Sequence, residues 1–256
     1  MENRIALVTG AGRGIGRAIA VGLAAEGVRV AVTARSVDEL ENLAREVKAG
    51  GGGALVIPGD LSDRSAPARI VRTVADTWGP IEILVNNAGV GSSQNPKPLV
   101  DFDDDFWDLT LMINLTAPYL FTRLVLPSMM ERGWGRIINI SSIAGRIGTL
   151  HGAAYGVSKQ GLLGLTRTTA VEAAAHGVTA NAICPGVTRS RLNDIRLEYD
   201  SRRLGVSFEQ LEKESTPLGR RLEPEEVAIL AVQLARDEAR GINGQSINVC
   251  GGRVFG

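Results

Sequence analysis

The sequence predicts an α/β protein built on one doubly wound parallel sheet of about seven strands, with helices on both faces. Short β-branched apolar runs alternate with longer stretches of helical periodicity along the chain. Repeated β-α-β order with right-handed crossovers winds into such a sheet. The strand runs, among them "IALV" and "VAV", are nearly continuous apolar stretches, as expected where helices cover both sheet faces. No linker, low-complexity tract or shift in composition divides the 256 residues. One domain over 1–256 is therefore expected, within the size range of single α/β units.

In chain order, "RIALVTG" is the first strand and "IGRAIAVGLAAEG" the first helix, closed by Gly27. "VRVAVTA" is the second strand, after which Ser36 caps a helix running to about Ala49. A flexible turn from Gly50 to Gly53 precedes the strand "ALVIPGD". A helix over 62–78 leads to the strand "IEILVNNAG", and a long helix over 103–131, kinked near Pro118 or Pro127, follows it. The strand "GRIINISS", the helix "AAYGVSKQGLLGLTRTTAVEAA" and the strand "GVTANAICPG" come next. A charged helical insertion over 190–214, a helix from Pro224 and the strand "QSINVCG" complete the pattern.

Composition narrows the function. The 28 basic and 28 acidic residues cancel, which leaves no electrostatic footprint for nucleic acid or an anionic membrane. The cysteines, Cys184 and Cys250, exclude a disulfide scaffold and a CxxC metal site, so no metal is expected. A buried pair of thiols fits a reducing cytoplasm, and "MENRIALVTG" has no secretory pattern. The most membrane-like stretch, 109–122, is uncharged for only 14 residues and contains Asn114 and Pro118. It is too short and too polar to span a bilayer, so a buried or subunit-facing helix is expected there.

The stretch "TGAGRGIG", residues 9–16, follows the first strand directly. A glycine-rich turn at such a junction lets backbone N–H groups approach a phosphate at the helix N-terminus. The spacing is G-x-x-x-G-x-G, set by Gly10, Gly14 and Gly16 with Ile15 between the last two, and not G-x-G-x-x-G. A site that prefers NAD usually carries an acidic residue about 20 positions further on, bonded to the ribose 2′-hydroxyl. Here the second strand ends Thr33-Ala34-Arg35-Ser36, with no carboxylate before Asp38. Arg35 is placed to give a 2′-phosphate a forked cation, and Arg13 to add a second from the glycine loop. NADP(H) is the expected cofactor, with NAD(H) the alternative.

Tyr155 and Lys159 are four residues apart and share one helix face. A tyrosine near its reference pKa of ~10 is a poor proton shuttle at neutral pH. A lysine cation ~4 Å away, at an effective dielectric of ~20, offers the roughly 4 kcal/mol needed to bring it toward ~7. Ser142, thirteen residues upstream, ends the fifth strand, at the carboxyl edge where such sheets bind ligands. A hydroxyl there can donate to a substrate carbonyl oxygen while Tyr155 delivers the proton. "NNAG", ending the fourth strand with Asn87, Ala88 and Gly89, implies a close backbone approach at the same edge. Asn114 is an amide in an apolar helix and needs a buried partner. It is either a helix-bending core amide or the holder of a water in a proton relay.

The ordered set TGxxxGxG, NNAG, Asn114, Ser142, Tyr155-x-x-x-Lys159 and "PG" at Pro185 and Gly186 resembles the short-chain dehydrogenase/reductase family over essentially the whole chain. The resemblance implies a Rossmann fold, a nicotinamide cofactor and a catalytic tetrad at Asn114, Ser142, Tyr155 and Lys159. It makes Tyr155 the acid–base, gives Lys159 a second role on the nicotinamide ribose, and makes Asn114 hold the relay water. It further implies adenine contacts at Asp60 and Leu61, a ribose contact at Asn87, and carboxamide contacts near Val187 and Thr188. Ala88 and Gly89 pass beside the cofactor, and the resemblance extends to a homotetramer.

Within the family, "PLGRRLEPEEVAILAVQLARDEARGINGQSINVCGG" resembles the 3-oxoacyl-[acyl-carrier-protein] reductase branch. The stretch over 188–217 is longer than in the simplest of those reductases and resembles the helical lids of hydroxyacid, sugar and small-alcohol dehydrogenases. His151, just before Tyr155, is either a loop or interface residue or a substrate contact. The expected function is an NADP(H)-dependent interconversion of a ketone and a secondary alcohol, on a small ketone or an acyl thioester. The alternatives are a dedicated dehydrogenase of a hydroxyacid, sugar or secondary alcohol, with NADP or NAD as its cofactor, and a non-catalytic dinucleotide-binding regulator.

Overall fold

β1 (Ile5–Thr9), β2 (Arg29–Thr33), β3 (Ala54–Val56), β4 (Ile83–Asn86), β5 (Gly135–Ile140), β6 (Val178–Pro185) and β7 (Ser246–Val249) form one sheet in a computed structural model that describes residues 1–255. Every strand pairing is parallel, and the order across the sheet is β3-β2-β1-β4-β5-β6-β7. The chain runs from β1 outward to β3, then returns to place β4 on the other side of β1. That reversal opens a crevice at the carboxyl ends of β1 and β4, where the glycine loop and the NNAG turn begin.

The helices are α1 (Gly14–Ala25), α2 (Val37–Ala49), α3 (Ala66–Trp78), α4 (Asp104–Leu111), α5 (Ala117–Glu131), α6 (Ala153–Ala173), α7 (Arg191–Leu204), α8 (Phe208–Lys213) and α9 (Pro224–Ala235). Alternation along the strands sorts side chains into two core layers. Ala6 and Val8 of β1 meet Ile19 and Leu23 of α1 and Val227 and Ala231 of α9. Ile5 and Leu7 point the other way, toward Ile70 and Val74 of α3 and Phe121 and Met129 of α5.

Local chemistry moved two of the expected boundaries. The helix expected over 62–78 begins at Ala66, because two successive turns precede it. The Asp60 carboxylate accepts from the Ser62 N–H at 2.9 Å and the Asp63 carboxylate from the Ser65 N–H at 2.8 Å. Side-chain turns of this kind take N–H groups that a helix would otherwise use. The long helix expected over 103–131 is broken by a π-helical turn, Met112–Thr116, rather than by a simple proline kink. Pro118 has no N–H to give the Asn114 carbonyl, and the wider turn ahead of it takes up the mismatch. Pro127 lies inside α5.

Asp104–Glu131 as a whole is long and apolar enough, by length and composition, to cross a membrane. Its Ala117, Phe121, Val125 and Met129 are nevertheless sunk in the core against the sheet, as in a core helix. The charged insertion resolves into α7, capped by Ser190 and stopped by Gly205 at φ +68°, and α8, capped by Ser207.

Candidate active site

The glycine loop is shaped by close backbone approach. A Cβ on Gly16 would lie 2.4 Å from the Gly10 carbonyl oxygen, and one on Gly10 2.8 Å from Ala88 Cα. Gly10 and Gly14 also hold positive φ, +62° and +55°, where L side chains are strained. Thr9 Oγ1 fixes the loop to the NNAG turn by accepting from the N–H groups of Asn87 (2.9 Å) and Ala88 (3.0 Å). The Asn87 side-chain amide donates to the carbonyls of Thr9 (2.9 Å) and Gly10 (3.1 Å). Asn87, expected at the ribose, thus has its amide nitrogen engaged in clamping the loop. α1 starts at Gly14 with no side-chain cap and no acidic residue in its first turn. α2, by contrast, has the Ser36 cap with Asp38 and Glu39. An uncapped, carboxylate-free helix start beside a glycine cradle fits a pyrophosphate.

The two arginines expected at a 2′-phosphate each face a carboxylate. Arg13 Nη1 lies 3.1 Å from Glu39 Oε1 in an exposed ion pair. Asp60 is held below the ordinary carboxylate range, first by the Ser62 N–H and also by the field of Arg35. Leu61 beside it is buried.

Ser142, Tyr155, Lys159 and Asn114 come together at the carboxyl ends of β4 and β5. Ser142 follows β5, its Oγ accepts from the Ala144 N–H at 3.1 Å, and it lines the same cleft as Tyr155. Burial pushes the Tyr155 phenol above its ordinary value, and the nearby Ser142 hydroxyl opposes that shift. Lys159, buried, donates from Nζ to the Ile140 carbonyl at 2.8 Å. Burial lowers its pKa to about 8. Its Nζ lies over the Tyr155 ring, 5.7 Å from the centroid, rather than against the phenol oxygen.

The Asn114 amide, in the π-helical turn, clasps the backbone of Val90. Oδ1 accepts from the Val90 N–H at 2.8 Å, while Nδ2 donates to the Val90 carbonyl at 3.0 Å and to Ser158 Oγ at 3.1 Å. Ser158 in turn donates to the Tyr155 carbonyl at 2.8 Å. A Cβ on Gly89 would sit 3.4 Å from Asn114 Oδ1 and 3.7 Å from Lys159 Nζ, so the NNAG turn passes directly beside the cluster.

A cleft of about 410 Å³ opens on this cluster, with Ser142, Tyr155, Gly186 and Val187 in its wall. Pro185 ends β6, and the Gly186 N–H donates to the Val249 carbonyl at 2.9 Å. Thr188 is buried, donates from Oγ1 to the Gly186 carbonyl at 3.2 Å and bridges to Leu222. α7 supplies Arg196, Asp200 and Arg203 to the opposite side of the wall, and Ser92 and Arg253 join them. Ser92 and Arg253 were not singled out by sequence reasoning, since one sits in a polar loop and the other in the C-terminal tail. His151, at φ +55°, hydrogen-bonds Tyr199 of α7 through Nδ1 at 2.6 Å, tying α7 to the loop before α6.

A short chain dehydrogenase family model matches residues 4–199. D-beta-hydroxybutyrate dehydrogenase of Cupriavidus necator is 36% identical over 99% of this chain and 99% of that enzyme. The 3-oxoacyl-[acyl-carrier-protein] reductase of Synechocystis is 36% identical over 98% of this chain and 97% of that enzyme. A crystal structure of an actinorhodin polyketide ketoreductase variant with NADPH superposes with a TM-score of 0.92 at 35% identity, covering 98% of both chains. With its sheet order, glycine cradle and Ser142–Tyr155–Lys159 cluster, this chain belongs to the short-chain dehydrogenase/reductase family, enzymes that use a nicotinamide dinucleotide to interconvert keto and CH–OH groups.

Proposed function

We propose that this enzyme is an NADP(H)-dependent oxidoreductase that reduces a ketone to a secondary alcohol, and the reverse, with Ser142, Tyr155, Lys159 and Asn114 as its catalytic set. The observation that carries the proposal is that Ser142 and Tyr155 both line a cleft of about 410 Å³, with Lys159 Nζ over the Tyr155 ring. A pocket of that size suits a small molecule.

Gly10, Arg13, Gly14, Ile15 and Gly16 would hold the pyrophosphate half of the cofactor, Arg35, Asp60 and Leu61 the adenosine half. Ala88, Gly89, Pro185, Gly186, Val187 and Thr188 would border the nicotinamide half with Tyr155 and Lys159. When bound, the cofactor supplies or accepts the hydride. Ser142 donates a hydrogen bond to the carbonyl oxygen, where negative charge develops. Tyr155 delivers the proton to that oxygen. Burial keeps the phenol protonated at neutral pH, which suits a donor facing a developing alkoxide. Lys159 returns the proton through a water held at Asn114. The Asn114 side chain is occupied by Val90 and Ser158, so the water is assigned to its backbone carbonyl, to which Pro118 gives no N–H.

A charge-assisted bidentate contact from Arg35 is worth roughly 1.5–3 kcal/mol, so NADP(H) is expected to be favoured at least about tenfold. The carboxylates of Glu39 and Asp60 beside the two arginines favour a second reading, a small-molecule dehydrogenase using NAD(H). Measuring kcat/KM for both cofactors against a panel of ketones and alcohols decides between them. Equal values or a preference for NAD(H) overturn the NADP(H) reading. Absence of turnover with any pair favours the non-catalytic regulator. We further assign α7 and α8 as a lid, the chain over 1–256 as one catalytic domain, a homotetramer as its assembly and the cytoplasm as its location.

A further inference from the structure

We propose that Arg196 and Arg203, with Asp200 between them, form an anion-binding wall that selects substrates carrying a carboxylate on the same small molecule as the reacting ketone or alcohol. The inference rests on the oxidoreductase reading of the cleft and names its substrate class. Arg196 Nε and Nη2 lie 2.7 and 3.3 Å from the two oxygens of Asp200. Arg203 reaches one of the same oxygens from Nε (3.2 Å) and Nη2 (3.0 Å). One carboxylate thus serves two guanidiniums, which leaves the triad cationic.

Both arginines face the cleft that contains Ser142 and Tyr155. Arg196 is rooted in the cleft wall through Nη1, which donates to the Leu150 carbonyl at 3.2 Å and to Ser92 Oγ at 3.4 Å. Its side chain and that of Asp200 are only 21% and 20% exposed. A guanidinium held in this way is pre-oriented once α7 is closed over the cleft, so ordering its side chain there costs little.

The remaining charges of the wall do not reverse the sign. Arg253 donates to the Ser215 carbonyl at 2.5 Å, and Glu214 accepts from the Gln210 amide at 2.9 Å. Three guanidiniums against two carboxylates make the lining net positive. A neutral ketone has no use for such a wall, because bringing it up to these charges strips their water without giving an anion in return. A substrate carboxylate gains a charge-assisted contact, with Arg203 Nη1 not engaged by Asp200. The phosphate of a long carrier arm shares that chemistry. The modest volume and the inward anchoring of Arg196 favour the carboxylate of a short oxo or hydroxy acid.

The test is calorimetric binding of 3-hydroxybutyrate and of its methyl ester to the enzyme loaded with NADPH, with which the alcohol cannot react, in wild type, Arg196→Met and Arg203→Met. The expected result is an acid bound at least about tenfold more tightly than its ester in wild type, as a charge-assisted contact implies. That advantage should fall to within about twofold in Arg196→Met and partway in Arg203→Met, with the thermal midpoints of both variants checked for folding. An acid and an ester bound alike by wild type, or an advantage that survives both substitutions, overturns the proposal. So does a phosphopantetheine thioester that gains about tenfold over its dephosphorylated form through the same arginines while the free acid gains nothing. Because binding is read without turnover, failure of the oxidoreductase reading shows separately, as an acid preference with no cofactor oxidation on any ketone.

Discussion

Burial moves the two ionisable groups of α6 in opposite directions. The Tyr155 phenol is pushed above its ordinary value, and the Lys159 ammonium comes down to about 8. For Lys159 the folded pKa lies below the ordinary 10.5, so the cofactor-free fold carries a penalty below about pH 8 that disappears as the pH rises toward 10.5. Lys159→Met removes a charge whose burial costs up to ~3 kcal/mol. The variant's thermal midpoint relative to wild type is therefore expected to be highest near about pH 7 and to decline toward about pH 10. A difference that is the same at both pH values contradicts this account. At the adenine end, Glu39→Gln frees Arg13 from an exposed ion pair worth roughly 0.2–1 kcal/mol. The Kd for NADPH at low salt is expected to tighten roughly two- to fivefold while that for NADH stays put. Unchanged NADPH binding removes Arg13 from the 2′-phosphate site. The four-residue spacing of Tyr155 and Lys159 and the strand-end position of Ser142 were legible in the sequence. The Arg13–Glu39 pair was not, because its partners are 26 residues apart and meet only when α2 folds back beside the glycine loop.

Most helix starts and stops were legible because they are local. Ser36 caps α2 through the Glu39 N–H, and Gly27, at φ +80°, follows the end of α1, whereas the stop at Gly205 that splits the charged insertion was not read. The start of α3 was misplaced because Asp60 and Asp63 turn the chain before it, and the π-helical turn at Met112–Thr116 has no residue signature of its own. α7 and α8 bury little apolar surface, since Leu197 is the one buried residue between them among the described residues. Polar ties hold them instead: His151 to Tyr199, Arg196 to Leu150, and Arg221 to Asp194 and Glu212. Such ties exchange readily with water, so the amides of 191–213 are expected to exchange much faster than those of β5 and β6 in the cofactor-free enzyme. They are expected to slow when cofactor and substrate are both present. Equal protection with the central strands, without ligand, contradicts a lid.

On the scale of the molecule, the doubly wound parallel sheet of seven strands followed from the alternation of strands and helices, because βαβ handedness leaves few topologies. The cleft wall did not, since Ser92, Arg196 and Arg253 come from three distant segments that only the finished sheet brings together. The outer faces of α5 and α6 set exposed apolar side chains among Arg123, Gln160 and Arg167. Tyr119 and Val157 are exposed, and Val171 is 80% exposed. Light scattering at micromolar concentration is expected to report a tetramer built on these helices, and a monomer contradicts that assembly. The central claim is that the chain transfers a hydride with Tyr155 as proton donor. It is tested most directly by following NADPH oxidation against a short 3-oxo acid in wild type and Tyr155→Phe, with NADPH affinity measured in both. The account predicts turnover in wild type and a loss of at least about 10²-fold in the variant at unchanged cofactor affinity. A variant that keeps a tenth or more of the wild-type rate contradicts it.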